Sequence, residues 1–249
     1  MAIERNPSIR SIQSRLVAAG FLDPNPGADG VWGPSSEAAF NTLLVKAKST
    51  IAIDYDIAWS AKVSPEFVAK VKDIAAALGM PSTGADDLMG CMAWESGMTF
   101  SPSQYNRAGS GAVGLIQFMP LTAVAFFYKA SELDKMSKDE KLAKGKESCA
   151  KLAAMTAEQQ LDYVHEYFKP YKGRLKNLGD LYMAILWPAG IGKGDDWALW
   201  DKTTRPTTYR QNMGLDVNKD ETITRGECVF KVREMLNRGY EIQNRRKLV

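Results

Sequence analysis

The stretch Asp86-Asp87-Leu88-Met89-Gly90-Cys91-Met92-Ala93-Trp94-Glu95-Ser96-Gly97 decides how the chain reads. Leu88, Met89, Met92 and Ala93 recur at helical spacing and predict one apolar face, while Asp86 or Asp87 suits the helix start and Gly97 its end. Glu95 then emerges at the terminus of a buried helix, beside Trp94 and a methionine-rich wall. Such surroundings penalise the carboxylate anion and raise its pKa towards a value useful to a general acid. The spacing alone leaves a second reading open, a surface glutamate in the last turn, opposed by the helix dipole.

Helix signals continue on both sides, over about 65–78, 86–96, 120–130, 157–168, 178–187 and 224–240. Ser64-Pro65-Glu66 places serine as N-cap and proline at the first helical position. No segment alternates convincingly as strands do, so the expected fold class is all-α. Between 131 and 155, SELDKMSKDEKLAKGKESCAKLAAM is rich in lysine and glutamate and reads either as a solvated helical excursion or as a charged binding arm. Gly109-Ser110-Gly111-Ala112-Val113-Gly114-Leu115-Ile116-Gln117-Phe118-Met119-Pro120 is a glycine-rich turn running into an apolar, extended segment of the kind that lines a cleft.

Upstream, two short amphipathic helices, around 8–20 and 35–48, flank the turn-rich FLDPNPGADGVWGPSS. Asp29-Gly30 supplies a turn that needs a permissive backbone, Trp32 offers a rigid apolar face, and Gly33-Pro34 leads into the second helix. Apolar positions 12, 16, 40 and 43 are expected to form the core of this segment. The mixed linker IAIDYDIAWSAKV follows and puts the boundary near residue 55, giving a small domain over 1–55 and a larger one over 56–249.

The bulk numbers exclude several classes. A formal charge of +3, from 32 basic and 29 acidic residues, is far from the concentrated positive field of a nucleic-acid binder, so no nucleic-acid partner is expected. Cys91, Cys149 and Cys228 are odd in number and widely spaced, which suggests neither a disulfide framework nor a zinc cluster. The single histidine, His165, lies on a helical pattern with Leu161, Val164 and Phe168 and leaves no second imidazole for a zinc peptidase or amidase. MAIERNPSIR lacks the apolar core of a secretory signal, and no segment offers the roughly 18 apolar residues of a membrane span. Synthesis in the cytoplasm is the expectation.

Longer patterns carry a resemblance. Ile12-Gln13, Leu16, Gly20-Phe21-Leu22, Asp29-Gly30-Val31-Trp32-Gly33-Pro34 and Glu37-Ala38-Ala39-Phe40 resemble the small three-helix peptidoglycan-binding domain. That resemblance implies wall anchoring through Asp29, Gly30, Trp32 and Gly33, the appended module raising local concentration on an insoluble substrate. Trp32 by itself reads equally as a core plug. Glu95-Ser96-Gly97 followed by Gly114-Leu115-Ile116-Gln117-Phe118-Met119-Pro120 is similar to the goose-type lysozyme and lytic transglycosylase superfamily. It implies a lysozyme-like helical catalytic domain with Glu95 as the acid and Ser96 and Gln117 at the substrate. Leu181 to Gly190 resembles the third motif of that superfamily, with Trp187-Pro188 where Tyr-Asn is usual. The missing asparagine removes a substrate hydrogen bond, and Trp187 reads either as a sugar-stacking face or as core. Tyr209 stands where a fourth-motif tyrosine near the acid is expected.

With the anchor placed first, the combination resembles phage endolysins of Gram-negative hosts. Such a protein is expected to be a monomer made in the host cytoplasm, acting on peptidoglycan in the periplasm once a separate partner has opened the membrane. Glu95 would protonate the oxygen between N-acetylmuramic acid and N-acetylglucosamine. A muramidase that inverts needs a second carboxylate, for which Asp195 and Asp196 are the candidates, whereas a lytic transglycosylase reuses the same glutamate as base and closes a 1,6-anhydro ring. A catalytically silent wall-binding protein is a third reading, suggested by Pro188 and opposed by the intact Glu95-Ser96-Gly97.

Two features lie outside that resemblance. Asp216, Asn218, Asp220, Thr222, Thr224 and Glu227 have the ligand spacing of an EF-hand loop, so calcium is the one cofactor to consider. Glu221 occupies the sixth position, where glycine is usual, and Thr224-x-x-Glu227 is equally a capping box. At the end, Arg245-Arg246-Lys247 reads either as a contact for an anionic outer-membrane surface or as charge complementing a helix dipole.

Overall fold

In the computed structural model, the described residues (6–25, 27–50, 55–106 and 109–248) form eleven α-helices and one two-stranded antiparallel sheet. In chain order these are α1 (Pro7–Ala18), α2 (Pro34–Thr50), α3 (Pro65–Ala77), α4 (Gly84–Glu95), α5 (Pro120–Ala123), α6 (Ala130–Leu133), α7 (Lys138–Ala153), α8 (Ala157–Phe168), α9 (Leu178–Leu186), β1 (Ala198–Asp201), α10 (Pro206–Asn212), β2 (Thr222–Thr224) and α11 (Arg225–Gly239). The class is all-α, as the periodicity predicts. None of the helices among the described residues is long and apolar enough to cross a membrane. The chain divides into two compact units, Met1–Asp54 with Leu248–Val249, and Tyr55–Lys247. Residues 51–54 of the expected linker, and the first five residues, lie outside the described residues.

The first unit carries two helices among its described residues, against three implied by the resemblance. Asn6 caps α1, its Oδ1 accepting from the Ser8 and Ile9 amides at 2.9 and 3.3 Å. Leu16, Leu22 and Ala39 form the core, with Val17, Phe21, Trp32, Phe40 and Leu43 packed around it. Ile12, expected inside, is 43% exposed. The neighbouring position is the buried one: Gln13 sits on the inward face of α1 with its amide satisfied. Its Nε2 donates to Asp29 Oδ1, Val31 O and Ser36 Oγ within 2.9 Å, and its Oε1 accepts from the Gly30 amide at 2.7 Å. A polar residue so satisfied displaces the apolar one that spacing alone favours.

In the second unit α4 is the central element. Every residue from Gly84 to Ala93 is buried, because α3, α9 and α11 all pack on it. Gly90 lets α11 come close: a Cβ there would lie 2.9 Å from the Cβ of Leu236. The helix begins at Thr83 rather than at Asp86 or Asp87. Asp86 is buried and Oδ1 accepts from the Ala58 amide at 2.8 Å, while Thr83 donates to Asp87 Oδ2 at 3.3 Å. The expected helix over 120–130 breaks into α5 and a 3-10 turn, followed by α6. The lysine-rich 131–155 segment is helical over most of its length, and α7 buries Gly145, Ser148, Cys149 and Leu152. The short β1–β2 ladder, pairing Asp201 with Thr222 and Trp200 with Ile223, was not expected from the sequence.

A buried guanidinium joins three segments at the start of α11. Arg225 Nη2 donates to Asp180 Oδ1 and Asn177 Oδ1, both at 3.1 Å, and Nη1 pairs with Asp195. Asp180 also accepts from the Gly192 amide at 2.8 Å. Arg225 and Asp180 side chains are 6% and 4% exposed. Removing one partner of a buried pair strands the other charge in a low dielectric. The substitution Arg225→Met is therefore expected to lower unfolding free energy by about 3–5 kcal/mol, read as an earlier urea midpoint at unchanged m-value.

Candidate active site

The cleft of the second unit has a volume of about 450 Å³ and is lined by Trp94, Glu95, Ser96, Gly97, Met98 and Thr99 on one side, and by Gln104, Tyr105, Asn106 and Gln117 on the other. The first wall is the end of α4 and the turn after it. That turn is a Schellman closure: the Met98 amide donates to Ala93 O at 2.6 Å and the Gly97 amide to Trp94 O at 3.3 Å, with Gly97 at φ 61°. Met98 and Phe100 follow at φ 66° and 50°, left-handed conformations unfavourable for side-chain-bearing residues. Ser96 closes the turn from within. Its Oγ donates to Met92 O at 2.7 Å and accepts from the Phe100 amide at 3.0 Å, and the residue is buried. The serine expected at the substrate thus spends its hydroxyl on the backbone that carries Glu95.

The second wall is the glycine-rich segment, folded into tight isolated bridges: Tyr105 with Val113, and Val113 with Phe118. Gln117 stands at φ 53° with its Nε2 donating to Gln104 O at 2.9 Å and Gly114 O at 3.2 Å, so it does line the cleft, tied back to its own loop. Gln160, buried on α8, holds this wall in place. Its Oε1 accepts from the Leu115 amide at 2.7 Å, and its Nε2 donates to Pro102 O and Leu152 O at 3.1 and 2.9 Å. Gly114, at φ 85°, leaves the room: a Cβ there would lie 2.2 Å from Gln160 Oε1. Gln160 lies 45 residues from Leu115, and no local pattern in the sequence marks it.

Glu95 itself is half-buried where it lines the cleft. Burial of its carboxyl in the surrounding protein pushes its pKa to about 8. The neighbours are neutral groups. Trp94 Nε1 donates to the Tyr182 hydroxyl at 3.1 Å, and the Tyr167 hydroxyl donates to Ala184 O at 2.9 Å. Burial raises the Tyr182 phenol and the Cys91 thiol well above their usual values, with the charge of Glu95 adding to both, and pushes Tyr167 to about 12. Glu95 is the only charged side chain lining the cleft among the described residues.

The remaining predicted site residues lie elsewhere. Trp187 ends α9, packs edge-on against Trp200 with ring centroids 5.6 Å apart, and is covered by the Arg205 guanidinium at 5.2 Å. Tyr209 donates to Asp216 Oδ2 at 2.7 Å rather than towards the acid, and this bond pushes its phenol to about 12. Asp195 is held by Arg225, and neither it nor Asp196 lines the cleft. In the first unit, Asp29 and Gly30 build the turn around Gln13, the Val31 amide donating to Asp29 Oδ1 at 2.9 Å and Gly30 adopting φ 84°. Trp32 is partly buried against Phe40 and donates to Glu37 Oε2 at 2.7 Å, while Gly33 leads into α2. Asp216 to Glu227 run from a loop through β2 into the first turn of α11. At the chain end, Arg245 donates to Asp56 O at 2.8 Å and to Tyr55 O, and Arg246 to Val63 O, so both guanidinium groups are directed at backbone of this same unit.

Compared with known proteins, the chain matches no family model and no curated protein.

The raised pKa carries a stability consequence. In the folded protein Glu95 keeps its proton to about pH 8, whereas the unfolded chain releases it near the ordinary glutamate value of 4.5. The resulting cost is absent below 4.5, grows as pH rises between the two values, and is constant above 8. Glu95→Gln removes it. The variant is expected to melt with wild type at pH 4 and higher than wild type at pH 7.5, by on the order of 5 °C for a cost of a few kcal/mol.

Proposed function

We propose that the second unit cleaves the glycan strands of bacterial peptidoglycan between N-acetylmuramic acid and N-acetylglucosamine, with Glu95 as general acid, and that the first unit holds the enzyme on the wall. The observation that carries this reading is a desolvated carboxyl, protonated at neutral pH, at the wall of a cleft whose other lining groups, among the described residues, are uncharged. Protonation of the leaving oxygen needs an acid that still holds its proton near pH 7, and a pKa of about 8 provides one. The amides of Gln104 and Asn106 and the ring of Tyr105 suit the hydroxyls, acetamido groups and apolar faces of a neutral sugar chain. The motif resemblance points the same way and adds the setting: a phage endolysin made in the host cytoplasm, reaching the periplasmic wall after membrane opening.

A second reading, the lytic transglycosylase, is favoured by one feature. An inverting hydrolase holds its water on a second carboxylate roughly 6.5–9.5 Å from the acid. The acidic candidates Asp195 and Asp196 do not line the cleft, and Asp195 is paired with Arg225. A glutamate acting first as acid and then as base requires no such partner.

Mass spectrometry of fragments released from purified Gram-negative peptidoglycan separates the possibilities. Reducing muramic ends mark hydrolysis, and 1,6-anhydromuramic ends, lighter by one water (about 18 Da), mark the transglycosylase. Either activity is expected to fall at least 100-fold in Glu95→Gln and to show an alkaline limb near the Glu95 pKa of about 8. A wild-type protein that binds the wall and releases nothing would leave an anchoring protein without catalysis.

A further inference from the structure

We infer that the loop from Asp216 to Glu227 binds one calcium ion. Oxygen-bearing side chains recur at its first, third, fifth, seventh, ninth and twelfth positions, and three of them, Asp216, Asp220 and Glu227, are carboxylates. Hard oxygen donors with this charge select calcium over softer metals.

The observation that points to an ion is at the first position. Asp216 is 9% exposed, and its two carboxylate oxygens are treated differently. Oδ2 accepts from the Tyr209 hydroxyl at 2.7 Å and from the Glu221 amide at 3.1 Å, whereas the buried Oδ1 has no hydrogen-bond partner. An enclosed anionic oxygen with nothing to accept from carries a desolvation penalty, and a cation beside it removes that penalty.

The backbone agrees. Glycine is usual at the sixth position because the chain there turns left-handed, and Glu221 adopts that conformation at φ 67° despite its side chain. The seventh to ninth positions are β2, and the twelfth, Glu227, is the third residue of α11, with Thr224 as N-cap.

Among the described residues no three acidic, cysteine or histidine side chains are gathered around one point. Glu227 Oε1 instead accepts from the Val217 and Asn218 amides at 2.9 and 3.3 Å, and Oε2 from the Thr224 amide and hydroxyl. Asp220 accepts from the Thr222 amide at 2.9 Å and from Asn218 Nδ2 at 3.0 Å. Loading therefore requires Glu227 to exchange amide donors for the ion. The Thr222 carbonyl and the side chains of Asn218 and Asp220 complete the shell. Ligation ties the loop to α11, which packs on α4. Its first effect is on stability, independent of any activity on the wall.

The test uses the full chain, freed of divalent ions with a chelator, in calorimetric titration with calcium chloride and in thermal melts with and without 1 mM calcium. Expected are one ion per chain, a dissociation constant between about 10⁻⁶ and 10⁻³ M, and a melting point that rises with calcium concentration. Glu227→Gln keeps a side-chain acceptor for the α11 cap but loses a ligand charge, and is expected to bind at least tenfold more weakly. Where that variant fails to fold, Asp220→Asn, at an exposed position, is read in the same way. No heat and an unchanged melting point for wild type at 1 mM calcium would overturn the proposal. So would a folded variant at either position that binds as tightly as wild type.

Discussion

The second unit depends on one constraint, the burial of α4 on all sides. The helix is buried from Gly84 to Ala93 and only its last residues reach the cleft, so Glu95 is half-buried against the core. Desolvation of its carboxyl is a direct result of where the helix ends. The Schellman turn fixes that end, and the left-handed Met98 and Gln117 at the cleft and Phe100 in the core beside it each hold a conformation that costs of order 1 kcal/mol or more. Packing on α3, α9 and α11 offsets that cost, with Gly90 making room for Leu236 of α11. The acid and the strained turns around it are thus supported by the same apolar core.

Buried polar groups act as the fasteners of this core. Gln160 satisfies three backbone groups from three segments at once, and Arg225 binds the start of α9, the 195 loop and the start of α11. Each is fully enclosed, and each would be costly if any partner were lost, so the loops they hold have a single favourable arrangement. Arg225 is the first residue of α11 and lies within the Asp216–Glu227 segment, directly after β2. The scaffold of the cleft and that loop therefore share an element. In the first unit Gln13 plays the corresponding part, ordering the Asp29-Gly30 turn from inside the small core.

Several residues that stand out in the sequence turn out to serve the architecture. Ser96 and Asp29 spend their side-chain oxygens on nearby backbone amides, and Trp32 and Trp187 pack on other rings. Tyr209 belongs with Asp216 and not with Glu95. The two arginines at the chain end bond to carbonyls at residues 55, 56 and 63. What remains at the cleft is a smaller set: Glu95, Gln117 and the polar side chains from Gln104 to Asn106, of which only the first two were singled out by motif.

The sequence by itself determined what depends on residues three or four apart. Apolar periodicity and caps such as Ser64 and Thr224 placed most of the helices to within a few residues, and the same spacing put Glu95 at the end of a buried helix. Helical hydrogen bonds and caps are local, so their signals are local too. Only the tertiary structure decided which side chains meet across the chain: Gln160 with Leu115, Trp94 with Tyr182, Arg225 with Asp180 and Asp195. It also decided that Gln13 and not Ile12 faces inward, and that Asp195 is an ion-pair partner away from the cleft. Those outcomes follow from burial and from satisfying distant polar groups, and neither leaves a periodic trace in the sequence.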